Sequence, residues 1–179
     1  MKQPGTTSRE DLLEALSRLY AEVDRLADRL SRIHSGRLQC RRGCSACCVD
    51  GITVYEIEAR NIQQHHADLL EEGTPRAERA CAFLDAEGGC RIYEHRPYVC
   101  RTQGLPLRWL EELDNGDIVE MRDICPLNDE GEPIETLDEE ECWSIGPFEE
   151  RLARLQAAAD GGEMRRAALR ELFVRQEPE

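Results

Sequence analysis

The stretch Cys40-Arg41-Arg42-Gly43-Cys44-Ser45-Ala46-Cys47-Cys48 holds four of the nine cysteines of the chain, and no acidic residue interrupts it. Thiolate sulfur is the soft ligand that zinc and iron–sulfur centres prefer, and short spacings let one loop present several sulfurs to one ion. A lone buried cysteine is commonly a small core residue, but four so close together are poorly suited to core packing. The stretch therefore predicts a metal site around which the rest of the chain is organised.

Eight cysteines are the predicted metal ligands. A closed zinc site or a cubane cluster takes four ligands, so eight sulfurs would fill two sites or one polynuclear cluster. The side chains of the adjacent Cys47 and Cys48 diverge, which suits two neighbouring ions better than one. Cys142 is left out, because three carboxylates precede it and Trp143 indicates burial. The eight are Cys40, Cys44, Cys47, Cys48, Cys81, Cys90, Cys100 and Cys125.

Arginines collect where the sulfurs collect, although the chain carries a net charge of −14 and residues 109–142 hold fourteen acids against one base. Arg96 and Arg101 flank Cys100, and we expect them to bind the metal–thiolate centre by offsetting its negative charge. Pro97 suits the start of a helical turn, which would place Cys100 where backbone N–H groups favour a thiolate. The alternative is chance clustering in an arginine-rich chain.

Composition excludes several classes of protein. The acidic net charge argues against binding a nucleic-acid backbone. The first seven residues lack the apolar core of a secretory signal, and no run approaches the ~18 apolar residues of a membrane span. We therefore expect a cytoplasmic protein whose thiols stay reduced, with a disulfide scaffold as the alternative. The expected partners are a metal ion and, as an open question, another protein, but neither nucleic acid nor membrane.

The first predicted element is an amphipathic helix over residues 8–34. Its apolar residues recur at alternating spacings of four and three, and either Thr7 with Glu10 or Ser8 with Asp11 would cap it. Such a seam usually packs on its own domain, and a short coiled-coil dimer is the alternative. The seam consists of Leu12, Leu16, Leu19, Val23, Leu26, Leu30 and Ile33.

A second helix is predicted from Thr53, as its cap, to about Leu70. His65 and His66 lie in this helix, where adjacent side chains point about 100° apart, so we expect a solvated helix face rather than a pair of ligands.

The remaining elements follow from turn signals. Residues 83–84 and 92–93 are predicted as short strands, and a hairpin is predicted around a two-residue type I′ turn at Asn115-Gly116. Residues 138–143 are expected to begin the C-terminal helices, which would span 148–159 and 163–174.

These elements predict an α+β fold with a small, irregular, cysteine-rich metal-binding core and a β-hairpin, flanked by N- and C-terminal α-helices. The predicted organisation is an N-terminal helix over residues 1–36, a cysteine-cluster domain over 37–130, and a C-terminal helical segment over 131–179 packed on it.

The spacing Cys40-x3-Cys44-x2-Cys47-Cys48, followed by Cys81-x-Phe83-Leu84, Cys90-x-Ile92-Tyr93 and Arg96-Pro97-x2-Cys100-Arg101, resembles a bacterial cysteine-cluster family named for its CxxCxxCC motif. This YkgJ-like group is described as zinc- or iron-chelating, and its members are sometimes labelled iron–sulfur oxidoreductases. The match covers roughly residues 37–105. It departs from the motif in its first gap, which has three residues instead of two. The resemblance implies metal chelation and leaves the reaction open.

Three functions are consistent with the sequence. The protein is a metal-organised module that chelates zinc or iron, an iron–sulfur protein that transfers electrons, or an enzyme whose metal activates a substrate. For the enzyme, the sequence lacks a His-rich ligand set and a nucleotide loop. For the iron–sulfur protein, it lacks the ferredoxin run of cysteines that ends in proline. We therefore expect the module, with the iron–sulfur protein as the alternative and with no catalysis asserted.

Overall fold

The computed structural model describes residues 8–173, and the first element within them is a long helix, α1, from Arg9–Ile33. The Ser8 hydroxyl accepts the backbone N–H of Asp11 at 3.1 Å, and the Asp11 carboxylate accepts the backbone N–H of Ser8 at 3.0 Å. These reciprocal bonds satisfy two of the donors that a helix start leaves open. One of the two predicted capping pairs is therefore confirmed, and the other, which used Thr7, lies outside the described residues.

The apolar seam of α1 packs inside its own chain. Most of its residues are buried, whereas Leu26 is partly buried and Ile33 is 42% exposed at the end of the helix. The seam faces helix α4, Tyr98–Arg101, and helix α5, Pro147–Asp160. These helices and Trp143, which lies outside them, form a first hydrophobic cluster, which includes Leu12, Leu16, Leu19, Val23, Leu30, Tyr98, Trp143 and Leu152.

A two-stranded sheet and two short helices follow. Strand β1, Thr53–Tyr55, leads directly into helix α2, Glu56–His65, and helix α3, Ala67–Glu72, comes next. The prediction of one helix capped by Thr53 is wrong at its start, because Thr53 pairs with a distant strand and Tyr55 is the cap residue. His66 has a φ of −135°, outside the helical region, and so separates α2 from α3.

The loops that carry the later cysteines rest on a second hydrophobic cluster. Its centre is Phe83, which is fully buried and packs against Phe173 with ring centroids 5.0 Å apart. The two short strands predicted here are wrong, since residues 83–84 contribute only an isolated bridge from Leu84 to Cys90, and Tyr93–His95 form a 3-10 turn. Tight turns replace paired strands, and they carry the cysteines.

The predicted hairpin is confirmed, with a different turn. Strands β2, Leu107–Glu112, and β3, Ile118–Asp123, pair antiparallel. The Gly116 N–H donates to the Leu113 carbonyl at 2.8 Å, and Gly116 alone in the loop has a positive φ, of +85°. This three-residue loop with a left-handed glycine replaces the type I′ turn, which needs positive φ at two residues.

The C-terminal part differs most from its prediction. Residues Glu139–Glu141 form a 3-10 turn, and strand β4, Trp143–Ser144, then joins the hairpin parallel to β2. Helix α5 is confirmed. The second predicted helix is wrong: strand β5, Arg166–Ala168, pairs antiparallel with β1, and a 3-10 turn, Leu169–Leu172, follows. Val174 lies beyond the described residues.

The structure has five helices and two small sheets within residues 8–173, with 45% helix and 14% strand, so the α+β class is confirmed. None of the helices in that range is long and apolar enough to cross a membrane.

Candidate metal centre

The loop over residues 40–48 is built from two consecutive turns that present its sulfurs. The Cys44 N–H donates to the Arg41 carbonyl at 2.9 Å, and the Cys48 N–H donates to the Ser45 carbonyl at 2.9 Å. Gly43 has a φ of +88°, and its carbonyl oxygen would lie 3.4 Å from a Cβ placed on Gly88. This close approach brings the loop against the turn that precedes Cys90.

Backbone pairing places Cys81 beside Cys48. The Cys81 N–H donates to the Cys48 carbonyl at 2.9 Å, and Val49 and Ala80 form an adjacent antiparallel bridge. The segment is fixed from outside by Arg170, whose guanidinium bonds the Ala80 carbonyl at 3.0 Å and pairs with Asp50 at 2.9 Å. The C-terminal 3-10 turn thus holds the Cys81 loop in place.

A turn before Cys90 reverses the chain direction, and the carboxylate of one residue stabilises this turn. The Asp85 side chain accepts the N–H of Glu87 at 3.0 Å and of Gly89 at 2.6 Å, which closes the turn. The bridge between Leu84 and Cys90 follows from it.

Cys100 lies on α4, which is anchored by a buried carboxylate. The Glu58 Oε1 atom accepts the Tyr98 N–H and the Tyr20 hydroxyl, each at 2.8 Å, and its Oε2 atom accepts the Tyr55 N–H at 3.1 Å. Burial raises the pKa of Glu58, although these three donors act in the opposite direction. Glu58 therefore joins α1, α2 and α4 directly behind Cys100.

Cys40 and Cys125 come from opposite ends of the site and meet through Asn128. The Asn128 N–H donates to the Cys125 carbonyl at 2.7 Å, and its side-chain Nδ2 atom donates to the Cys40 sulfur at 3.3 Å. Bonds therefore link Cys48 with Cys81, and Cys40 with Cys125 through Asn128.

The thiols influence one another through their charges. Burial and then the neighbouring Cys81, Cys90 and Cys47 raise the pKa of Cys100 to about 12. The expectation that its helical turn would favour a Cys100 thiolate is therefore wrong, because desolvation and like charge outweigh the N–H groups of a four-residue helix.

The charge of Cys47 affects the pKa of sulfurs in two separate parts of the cluster. The pKa of Cys40 is raised by burial and further by Cys44, Cys125 and Cys47, whereas Cys47 also acts on Cys100. The Cys48 thiol donates to the Cys47 sulfur, so the pKa of Cys47 falls to about 6 while that of Cys48 rises. The adjacent pair therefore gives up its first proton readily and its second with difficulty.

Three of the nearby arginines act on the sulfurs, and two of them, Arg170 and Arg91, lower the pKa of Cys81, which burial raises. Burial raises the pKa of Cys90, and Arg96 and Arg91 lower it by their positive charge. The guanidinium of Arg96 also stacks on the Tyr93 ring, with its Cζ atom 4.0 Å from the centroid, and lies 3.5 Å from the Asp24 carboxylate.

Arg101 is engaged elsewhere. Its side chain is 3% exposed, pairs with Asp24 and lies over the Tyr20 ring, with its Cζ atom 3.9 Å from the centroid. It also donates to the carbonyls of Arg96 and Glu94. These contacts place Arg101 at the junction of α1 and α4.

The donor set suits a thiophilic ion. All nine cysteines are free, and seven of the eight predicted ligands are exposed or half-buried, with Cys81 buried. Among residues 8–173, no three or more Cys, His, Asp or Glu side chains are set closely enough to hold an ion as they stand. Ligation would therefore require the thiols to rotate toward a common point, as is usual where binding completes the site. Cys142 lies apart, buried with Ile124, Ile134 and Leu137.

Two features of this part of the fold have no clear signal in the sequence. His66 Nε2 lies 3.0 Å from His95 Nδ1, and the His65 and His95 rings stack with centroids 3.9 Å apart. The helix break at His66 turns a side chain that a continuous helix would have directed elsewhere, and no local signal marks that break. Asn128 was also missed, because a buried asparagine in a polar loop resembles a turn residue.

A family model described as "CxxCxxCC: Putative zinc- or iron-chelating domain" matches residues 39–126. Neither the curated proteins nor the solved structures include a match to the chain. The matched segment contains all eight predicted ligands, so the family description supports metal binding in general. This chain therefore carries, at residues 39–126, a domain of the CxxCxxCC family.

Proposed function

We propose that this protein is a cytoplasmic metal-binding module that chelates zinc or iron through its cysteine cluster and uses the bound ion to organise the fold. The observation that carries the proposal is the set of links that bring cysteines from separate segments together. The Cys81 N–H bonds the Cys48 carbonyl, Leu84 bridges to Cys90, and Asn128 bonds Cys40.

The chemistry of the donors supports this proposal. Free thiols held near one another repel when ionised, and a cation removes that repulsion, which is why binding to such a cluster is favourable. Arg91 and Arg96 supply only part of the compensating charge, at Cys90. The cluster therefore gains most from an ion that replaces the thiol protons.

We further propose two ion positions that share Cys47 as a bridging ligand. One position would use Cys40, Cys44 and Cys125 with Cys47, and the other would use Cys47 with three of Cys48, Cys81, Cys90 and Cys100. The turns of the loop over residues 40–48 support this division, because they separate Cys44 from Cys48 while leaving Cys47 between them.

The test is to purify the protein without oxygen and measure its metal content and visible absorption. A colourless protein with stoichiometric zinc, or a protein with stoichiometric iron and no inorganic sulfide, is the expected result. A brown protein with broad visible absorption and inorganic sulfide would instead support the alternative, an iron–sulfur protein with an electron-transfer role.

A matched pair of variants makes this test specific. Cys47→Ala should lose most of the metal, whereas Cys142→Ala, which removes a buried sulfur outside the cluster, should keep it. Equal metal content in both variants would overturn the proposal.

A further inference from the structure

The Asn128 side chain is fully buried and has its hydrogen-bonding capacity engaged. Its Oδ1 atom accepts the Gln39 N–H at 2.7 Å, and its Nδ2 atom donates to the Gly104 carbonyl at 2.8 Å and to the Cys40 sulfur at 3.3 Å. A side-chain amide has two N–H donors, so both are used. The bond to sulfur is one of two directed bonds from a group with no access to water.

The backbone around Asn128 is fixed as firmly as its side chain. Arg37 is buried, and its Nε atom donates to the Asn128 carbonyl at 2.9 Å. The Asn128 N–H donates to the Cys125 carbonyl at 2.7 Å. Asn128 thus has little freedom to move away from Cys40, and it links the segment before Cys40 to the segment after Cys125.

The far side of the Cys40 sulfur is closed by a residue without a side chain. Gly104 has a φ of +91°, and a Cβ built on it would lie 2.5 Å from the Cys40 sulfur and 3.1 Å from Asn128 Nδ2. Cys40 is exposed as a residue, but its sulfur lies in a niche formed by Gly104 and Asn128. These two contacts restrict where the sulfur of Cys40, the first cysteine of the cluster, can lie.

We propose that Asn128 is a positioning residue that holds the Cys40 sulfur in place as a metal ligand through an N–H···S hydrogen bond. This inference rests on the proposed function. A hydrogen bond donated to a ligating thiolate orients it and takes up part of its charge. Loss of such an outer partner typically lowers metal affinity about 10- to 100-fold.

The experiment titrates the metal-free protein with Co²⁺, whose sulfur-to-metal charge-transfer absorption reports the number of bound thiolates. Asn128→Asp keeps the size of the side chain and an oxygen for the Gln39 N–H, but turns a second oxygen toward the Cys40 sulfur. Asn115→Asp makes the same chemical change in the exposed hairpin loop and serves as the control. We expect Asn128→Asp to lower Co²⁺ affinity about 10- to 100-fold and to reduce the charge-transfer absorption. We expect Asn115→Asp to match the unsubstituted protein.

A double-variant cycle separates positioning from a structural role. If Asn128 acts through the Cys40 sulfur, Asn128→Asp should have no further effect on Co²⁺ affinity in a Cys40→Ser background. An additive loss in that background would overturn the inference, as would equal binding by Asn128→Asp and Asn115→Asp. Should Asn128→Asp fail to fold, as judged by the thermal unfolding of the metal-free protein, Asn128→Ala replaces it in the same cycle without a buried charge.

The same titration keeps the two proposals distinguishable. Failure of the unsubstituted protein to bind Co²⁺ or zinc through sulfur would reject the proposed function. Normal binding by that protein together with an unchanged Asn128→Asp variant would reject only the role of Asn128.

Discussion

Single residues set the tightest constraints on the cysteine cluster, and Gly104 sets one of them. Its positive φ excludes most side chains, and its neighbour across the niche is the Cys40 sulfur. Gly116 in the hairpin loop has a similar φ of +85°, but nothing lies within 4 Å of a Cβ placed there. The two glycines share a backbone conformation and differ in their surroundings.

This difference predicts unequal costs of the same substitution. Gly116→Ala should lower the free energy of unfolding by about 1 kcal/mol, the cost of a side chain at positive φ. Gly104→Ala should lower it by about 2–4 kcal/mol, because the crowding of a packed sulfur adds to that cost. Urea unfolding of the metal-free proteins measures both values. An equal decrease in the free energy of unfolding for both variants would mean that the residues around the Cys40 sulfur accommodate the added methyl group without destabilising the fold.

Arg101 leads to a second prediction at this scale. Breaking a buried ion pair by removing one partner typically costs about 3–5 kcal/mol, but Asp24 is 39% exposed and keeps Arg96 nearby. Arg101→Met should therefore lower the free energy of unfolding by about 2 kcal/mol, whereas Arg18→Met, at an exposed helical pair, should change it by less than about 0.5 kcal/mol. If denaturant unfolding shows the two variants to be equally stable, the junction of α1 and α4 does not depend on Arg101.

Among the elements, the junction of α2 and α3 combines a helix break with three imidazoles. Burial, His95 and His65 lower the pKa of His66, and burial, His65 and Arg101 lower that of His95, while Glu94 acts in the opposite direction. The bond between the two rings needs one ring nitrogen without a proton, so protonation of both rings breaks it.

The pH dependence of stability follows from the sign of these shifts. Because both pKa values are lower in the folded state, the unfolded chain binds more protons below its ordinary pKa of 6.5. The contribution of these two histidines to the free energy of unfolding should therefore fall as the pH is lowered from 6.5 toward 5. In His95→Gln the dependence of the free energy of unfolding on pH should be weaker than in the unsubstituted protein. Parallel slopes in the two proteins, measured by urea unfolding, would contradict this explanation.

How far the sequence predicts these elements depends on whether the signal is local. The heptad seam fixes α1, and the polar loop around Gly116 fixes the hairpin, because both patterns lie within one segment. The strand pairing of Ala167 with Val54 depends on a residue more than a hundred positions away, so the helical pattern near the C-terminus misleads. For the same reason the cysteines could be selected as ligands from their spacing, whereas Asn128, which contacts Cys40 only through the fold, could not.

At the scale of the whole molecule, folding buries several of the cluster thiols and so favours their protonated form. Burial raises the pKa of Cys40, Cys81, Cys90 and Cys100 above the ordinary 9.0, and the hydrogen bond with Cys48 lowers the pKa of Cys47 to about 6. At neutral pH the four thiols with raised pKa are thus protonated in the metal-free protein, whose chain has a net charge of −14.

Metal binding should consequently release protons. Each zinc ion bound through four sulfurs should displace about three to four protons at pH 7, and the apparent affinity should rise as the pH increases toward 9. A pH indicator in weak buffer measures the release during titration with zinc. Zinc binding without proton release would mean that the ligands are not these thiols.

X-ray absorption at the metal edge of protein purified without oxygen tests most directly whether the cysteines jointly hold an ion. We predict a first shell dominated by sulfur, at about 2.3 Å for zinc. A first shell of nitrogen and oxygen, or a protein that retains no metal, would contradict it.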